Sequence, residues 1–133
     1  MIKPKLCFEK QKPMRKSLIR RNIDTLRDDE LLALLGIARL LRNQSYTIII
    51  HAFEDYKNLC STYSVNHHGE GSFRKYIDLF IHLELIQKKK VKRERFIKIS
   101  LLNIASTELI DLIYEKLENK LNLKNRVFER ICA

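Results

Sequence analysis

Six cationic side chains fall within eight residues, at Lys88, Lys89, Lys90, Lys92, Arg93 and Arg95. Protonated at neutral pH, these groups are neither nucleophiles nor metal ligands; what they can do is hold anions. Crowding them on one short segment costs self-repulsion that a polyanion relieves, and each nucleic-acid phosphate they neutralise releases condensed counterions. The charge is also localised. Residues 85–100 hold seven Lys and Arg against one acid and residues 1–24 hold eight against two, while the rest of the chain is close to neutral within a formal net charge of +10. Nucleic acid is the leading partner on these grounds.

A second group lies just upstream. Phe73, Tyr76, Ile77, Phe80 and Leu83 recur at spacings of three and four, which predicts a helix over 72–84 with Arg74, Lys75, Asp78 and His82 on its outward side and Ser72 as its cap. Arg can bridge guanine O6 and N7, whereas Lys acts as a point charge. Ser72, Arg74, Lys75, Asp78 and His82 therefore join the six basic residues as candidate DNA-binding positions. Near the N-terminus, Lys10, Lys12, Arg15, Lys16, Arg20 and Arg21 are placed to follow the backbone or enter the minor groove, as arms do.

Other chemistries find no support in the spacing. Asp28, Asp29 and Glu30 are consecutive on a helix and converge poorly on one Mg²⁺; they read as acids favoured by the helix dipole. His67 and His68, with Cys60 upstream and His82 downstream, lack the paired ligand spacing of a zinc site, and a loop or phosphate-side role suits the two adjacent histidines better. Gly69 and Gly71 belong to no phosphate-cradling loop of the GxxxxGK[ST] type, so neither a nucleotide nor ATP hydrolysis is expected. With no convergent acid, base and nucleophile, the expectation is a protein that is not an enzyme and needs no cofactor.

The elements that must position these residues follow from periodicity. Residues 1–16 contain both prolines, Pro4 and Pro13, among lysines and read as a flexible basic arm. A helix begins at Ser17, with Leu18, Ile19, Ile23 and Leu26 on one side. A second follows the break at 25–29, with a broad stripe of Leu31, Leu34, Leu35, Ile37, Ala38 and Leu41, ending at Asn43. Thr47 is expected to cap a third helix running to Tyr63, in which Cys60 is core. The turn-rich 64–71 joins it to the helix of 72–84. Beyond Glu84 the period drops to two: Ile86 opens one strand, Ile97, Ile99 and Leu101 alternate on its partner, and the basic residues form the hairpin tip. Ser106 and Thr107 precede a long helix to about residue 128, with Leu109, Ile110, Ile113, Leu117 and Leu121 on one stripe.

The order of these elements is that of a winged helix-turn-helix, mostly α with a small β-hairpin, carrying an additional N-terminal helix and a long C-terminal one. At 133 residues and 45% hydrophobic, the chain suits one domain over 17–133 after the arm. Cys7, Cys60 and Cys132 are odd in number and far apart, which favours a reducing compartment. No apolar run reaches the roughly 18 residues of a membrane span, so a cytoplasmic, nucleoid-associated protein is expected.

Residues 31–101 resemble the C-terminal winged-helix domain of archaeal origin-recognition initiator proteins of the cell-division-control type. The landmarks are LLALLGIARLLR, a helix carrying FEDYKNLC, and SFRKYIDLFIHLE running directly into LI and a basic hairpin. The resemblance implies that Arg74, Lys75 and the wing residues Lys88 to Arg95 contact origin DNA. The ATPase module of that family has no counterpart here, which implies a free-standing winged helix: an origin-binding factor, a regulator, or an archaeal, plasmid or viral accessory.

Three readings follow. The first is double-stranded DNA binding, with helix 72–84 in the major groove and the wing on an adjoining groove or phosphates, serving replication or transcription. The second is a transcription regulator that dimerises through Ile110, Ile113, Leu117, Leu121 and Phe128 of the last helix. The third is a protein-interaction module docking on a replication or transcription partner, since fold alone does not fix function.

Overall fold

A computed structural model describes residues 17–90 and 96–132, with side chains as far as residue 119. The arm over 1–16, with Lys10, Lys12, Arg15 and Lys16, and the wing residues Lys92, Arg93 and Arg95 lie outside the described residues, as do the side chains of Leu121 and Phe128.

The first helix, α1 (residues 17–24), turns Ile19 and Ile23 inward but leaves Leu18 54% exposed, so Leu18 does not join the stripe assigned to it. The break after α1 is closed by short-range polar bonds. The Thr25 hydroxyl donates to the Asn22 carbonyl at 2.7 Å, and the Arg27 N–H donates to Glu30 Oε1 at 2.9 Å, half of a capping box. Helix α2 (Asp28–Leu40) starts there, its first-turn acids Asp28, Asp29 and Glu30 facing the positive end of the helix dipole. Every residue from Leu31 to Ala38 is buried, which makes α2 the central helix that the others surround. It ends at Leu40, three residues before Asn43, because the Arg42 N–H tightens onto the Arg39 carbonyl at 3.3 Å.

The run TIII at 47–50 does not begin with a helix cap. Thr47 and Ile48 form a short strand, β1 (Thr47–Ile48), and Ile48 occupies the N-cap position of α3 (Ile49–Thr62) without a side-chain bond. β-branched residues favour that extended entry. Gly36 marks where α2 and α3 press together: a Cβ there would lie 3.3 Å from both the Tyr56 nitrogen and Asp55 Oδ2.

Two corners share one design. At the end of α3, the Val65 N–H reaches the Cys60 carbonyl at 2.8 Å and the Ser64 N–H the Ser61 carbonyl at 3.2 Å, with Ser64 at φ 56. At the end of α4 (Glu70–His82), the Leu85 N–H reaches the Phe80 carbonyl at 3.0 Å and the Glu84 N–H the Ile81 carbonyl at 3.0 Å, with Glu84 at φ 61. Both are Schellman motifs with a non-glycine residue in the left-handed slot. The second leads straight through buried Leu85 into β2 (Ile86–Lys90).

Strand β2 pairs antiparallel with β3 (Ile97–Leu101), and β3 pairs antiparallel with β1, giving a three-stranded sheet in the order β1-β3-β2. The Leu102 N–H donates to the Leu85 carbonyl at 2.9 Å and closes the base of the hairpin. Helix α5 (Ser106–Cys132) extends beyond the expected end near 128 and packs its first half on α2. There Leu109, Ile110, Ile113 and Leu117 are buried in the protein's own core, so the N-terminal part of the expected dimer stripe is already covered. The core draws on helices α1 to α5 and the sheet, including Ile23, Leu34, Tyr56, Phe80, Ile99 and Ile113.

Candidate nucleic-acid interface

The outward side of α4 is set by what its inward side buries. Phe73, Tyr76, Ile77 and Phe80 are buried, as their spacing predicts, and Arg74, Lys75, Asp78 and His82 are left exposed. Ser72 is not the cap. The helix opens one turn earlier from Gly69, which has extended backbone and no capping side chain, and Ser72 sits half-buried as the third helical residue. Arg74 Nη2 lies 3.9 Å from Glu70 Oε1 one turn back, a loose exposed pair that leaves the guanidinium available.

The hairpin next to α4 presents two different faces. Residues directly opposite in an antiparallel pair share a side of the sheet, and successive residues alternate. Lys88 faces Ile99 and Lys90 faces Ile97, on the side where Ile99 is buried; Lys89 faces Lys98, and Lys98 faces Ile48, on the other. Lys88 thereby reaches α4: its Nζ stands 3.3 Å from Asp78 Oδ1. The outward flank of α4 and the near face of the wing are therefore one continuous surface. Arg20 and Arg21, grouped above with the arm, are part of α1 instead, and Arg20 Nη1 lies 3.8 Å from Glu115 Oε1 of α5.

A polar cluster that the spacing does not reveal holds α4 in place. The Tyr76 hydroxyl donates to Asp29 Oδ2 of α2, and the same oxygen lies 3.3 Å from His68 Nε2. Arg27 completes it, with Nε 3.5 Å from Asp29 Oδ1 and Nη2 donating to the Tyr76 oxygen at 3.4 Å. The His68 N–H donates to the Tyr56 hydroxyl at 2.8 Å, so the loop before α4 is anchored as well. Burial, then the bond to Asp29, pushes the Tyr76 phenol well above its ordinary range, and burial raises Tyr56 to about 12. Asp29 and Glu30 hold the Arg27 guanidinium higher still than usual. His68 is thus a structural partner of Asp29, and Asp29 does more than start a helix. Among the described residues no group of His, Cys, Asp and Glu is placed to hold a metal ion, and no helix is long and apolar enough to cross a membrane.

A bundle centred on α2, with α3 and α4 joined by the loop at 63–69 and followed at once by a hairpin, defines a winged-helix domain. The chain belongs to the family described as CDC6, C-terminal winged helix domain, whose model matches residues 21–111. Among solved structures, it is similar to Cdc6p from Pyrobaculum aerophilum at a TM-score of 0.69 and 20% identity, covering 77% of this chain and 26% of that one. It is similar to the Aeropyrum pernix ORC1 protein in complex with DNA at a TM-score of 0.72 and 20% identity, covering 81% of this chain and 29% of that one. Drosophila ORC bound to DNA matches at a TM-score of 0.59 and 17% identity, over 71% of this chain and 24% of that one. At these identities the likeness is one of fold, and the chain spans less than a third of each of those proteins. None of the curated proteins matches the sequence.

Proposed function

We propose that this chain binds double-stranded DNA, with α4 in the major groove and the near face of the wing on neighbouring phosphates, as an origin-binding or transcription-regulating factor. The observation that carries the reading is the contact of Lys88 with Asp78, which joins the exposed helix face to the base of the most basic segment of the chain. The fold supports it, since winged helices place the helix after the turn in a groove. Similarity to an ORC1 protein in complex with DNA adds to that support. Arg74 and Lys75 are the base- and phosphate-reading candidates on α4, with Ser72 and His82 beside them; Lys88 and Lys90, continuing into Lys92, Arg93 and Arg95, supply the backbone grip.

Family membership favours a replication-origin target over a promoter, and binding to the nucleoid in the cytoplasm goes with either. The binding unit in this reading is a monomer, because Leu109, Ile110, Ile113 and Leu117 are committed to the core. The test is fluorescence anisotropy on duplexes at increasing salt, followed by protection footprinting on genomic fragments. Steeply salt-dependent duplex binding with a discrete footprint is expected. Failure to retain any duplex at low salt overturns the proposal and leaves the protein-docking reading.

A further inference from the structure

Helix α4 has a neighbour on the flank that Lys88 does not reach, and that neighbour carries cations the duplex reading leaves unassigned. The Asn22 Nδ2 group of α1 donates to the Leu83 carbonyl at 3.3 Å, and Arg27, in the turn that follows, meets the Tyr76 hydroxyl. One partner rises along the chain from Asn22 to Arg27 while the other falls from Leu83 to Tyr76, so α1 and its turn run antiparallel along α4. Leu83 lies five residues beyond Asp78, where Lys88 touches, and is therefore roughly 140° further around the helix. Lys75 and His82, both exposed, fall in the arc between those two positions. The outward face of α4 is thus bounded by the wing on one edge and by α1 on the other.

The two sides of α1 are committed differently. Arg20 and Asp24, one turn apart, are turned to α5, with Arg20 Nη1 3.8 Å from Glu115 Oε1 and Lys116 Nζ 2.9 Å from Asp24 Oδ1. Leu18 and Asn22, also one turn apart, are turned to α4 and line a recess of about 150 Å³ with Leu83 and Glu84. Arg21 lies between these two rows, exposed, and pairs with no acid among the described residues. It also closes a run of six cations, Lys10, Lys12, Arg15, Lys16, Arg20 and Arg21, with no Asp or Glu among them. Through Leu18 the chain enters α1 at the Leu83 end of α4, so the run is delivered to that edge. An unpaired guanidinium there is suited to a phosphate, since each phosphate neutralised releases condensed counterions.

We propose that Arg21, continuing into Lys16, Arg15, Lys12 and Lys10, holds the phosphates along the α1 edge of α4, so that a duplex seated on α4 is gripped on both flanks. The inference rests on the duplex reading and adds a backbone contact that the wing does not supply. Arg20 takes no part in it: although it adjoins Arg21 in sequence, its guanidinium is turned to α5.

The experiment measures anisotropy of a fluorescein-labelled duplex across a salt series, wild type beside Arg21→Ala, Arg20→Ala, and Arg15→Ala combined with Lys16→Ala. Loss of one phosphate contact flattens the slope of log K against log salt by about 0.9 and weakens binding about eightfold at ~0.1 M salt. Arg21→Ala should show that change, the Arg15 and Lys16 variant about twice the change in slope, and Arg20→Ala a slope close to wild type. Acetylation of wild-type lysines with and without duplex, read by mass spectrometry, needs no variant to fold: Lys10, Lys12 and Lys16 should be protected by the duplex. Three results would each overturn the inference and leave the duplex reading standing: a wild type that binds duplex while Arg21→Ala keeps its slope, an equal loss in Arg20→Ala, or equal acetylation of Lys10, Lys12 and Lys16 with and without duplex. A wild type that binds no duplex would sink both.

Discussion

Asp78 sits in the middle of the surface assigned to DNA, and its removal should strengthen binding. Its carboxylate is 3.3 Å from the Lys88 ammonium, with the two side chains 66% and 48% exposed. An ion pair so open to water is worth about 0–1 kcal/mol to folding, so Asp78→Asn should leave stability nearly unchanged. Its effect on DNA is larger. In the wild-type protein Lys88 is shared with Asp78, which also repels any phosphate brought near; with asparagine there, one more cation is free to neutralise a phosphate. Each such contact changes the slope of log K against log salt by about −0.9, which at ~0.1 M salt, relative to 1 M, is about 0.9 of a decade, or about 1.2 kcal/mol. The variant should therefore bind random duplex up to about eightfold more tightly at that salt, with the advantage shrinking as salt rises. Anisotropy titrations of one duplex across a salt series, wild type beside Asp78→Asn, read both the affinity and the slope. An unchanged slope, or weaker binding by the variant, would show that DNA does not lie across the junction of α4 and β2.

Other outcomes follow from the same geometry. Lys88→Glu with Lys90→Glu should weaken binding to all duplexes alike and flatten the salt slope by at least about 0.9, the share of Lys90, since Asp78 already holds Lys88 in the wild type, whereas Arg74→Ala should cost about 1–3 kcal/mol and blur sequence preference. Competition against randomised duplex separates the two, and identical behaviour of both variants counts against the division of labour. Tyr76→Phe removes a buried hydroxyl from Asp29 with little change of volume, and should lose about 1.5–3 kcal/mol in urea unfolding, the range for a bond to a charged group; a loss under about 0.5 kcal/mol would make the cluster incidental. Burial raises the Cys60 thiol from 9.0 to about 11, so the folded protein keeps a proton that the unfolded chain releases. The folded state binds more protons in that window, and stability should fall as pH rises from about 9 to 11. Cys60→Ser unfolding curves at the two ends of the window check this: the alkaline decline should be shallower than in wild type.

The helix face was open to reading because Phe73, Tyr76, Ile77 and Phe80 obey a three-four spacing, and the hairpin because Ile97, Ile99 and Leu101 obey a spacing of two. β1 was not, since two residues cannot establish a period, and Thr47 before an apolar run gives the same signal whether it caps a helix or joins a strand. Ser72 misled in the same way: a serine before Phe73 resembles a cap, while the true start at Gly69 looks like any turn. The Asp29, Tyr76 and His68 cluster joins residues 47 and 39 positions apart in sequence, and no local pattern reports such a meeting. The alternation along Lys88, Lys89 and Lys90 could be read as two faces, but which face meets α4 depends on the pairing with Ile99, and pairing register is a tertiary fact.

The corner at Glu84 leaves almost no slack between the last turn of α4 and the first residue of β2, with Leu85 locked in the interior and the Asn103 amide donating to the Glu84 carbonyl at 3.2 Å. Helix and hairpin thus behave as the two jaws of a caliper whose opening cannot be adjusted. On a duplex gripped as proposed, a ruler of that kind would measure the distance between two footholds: lengthening the spacer between them by a single base pair would force the nucleic acid, and not the protein, to deform.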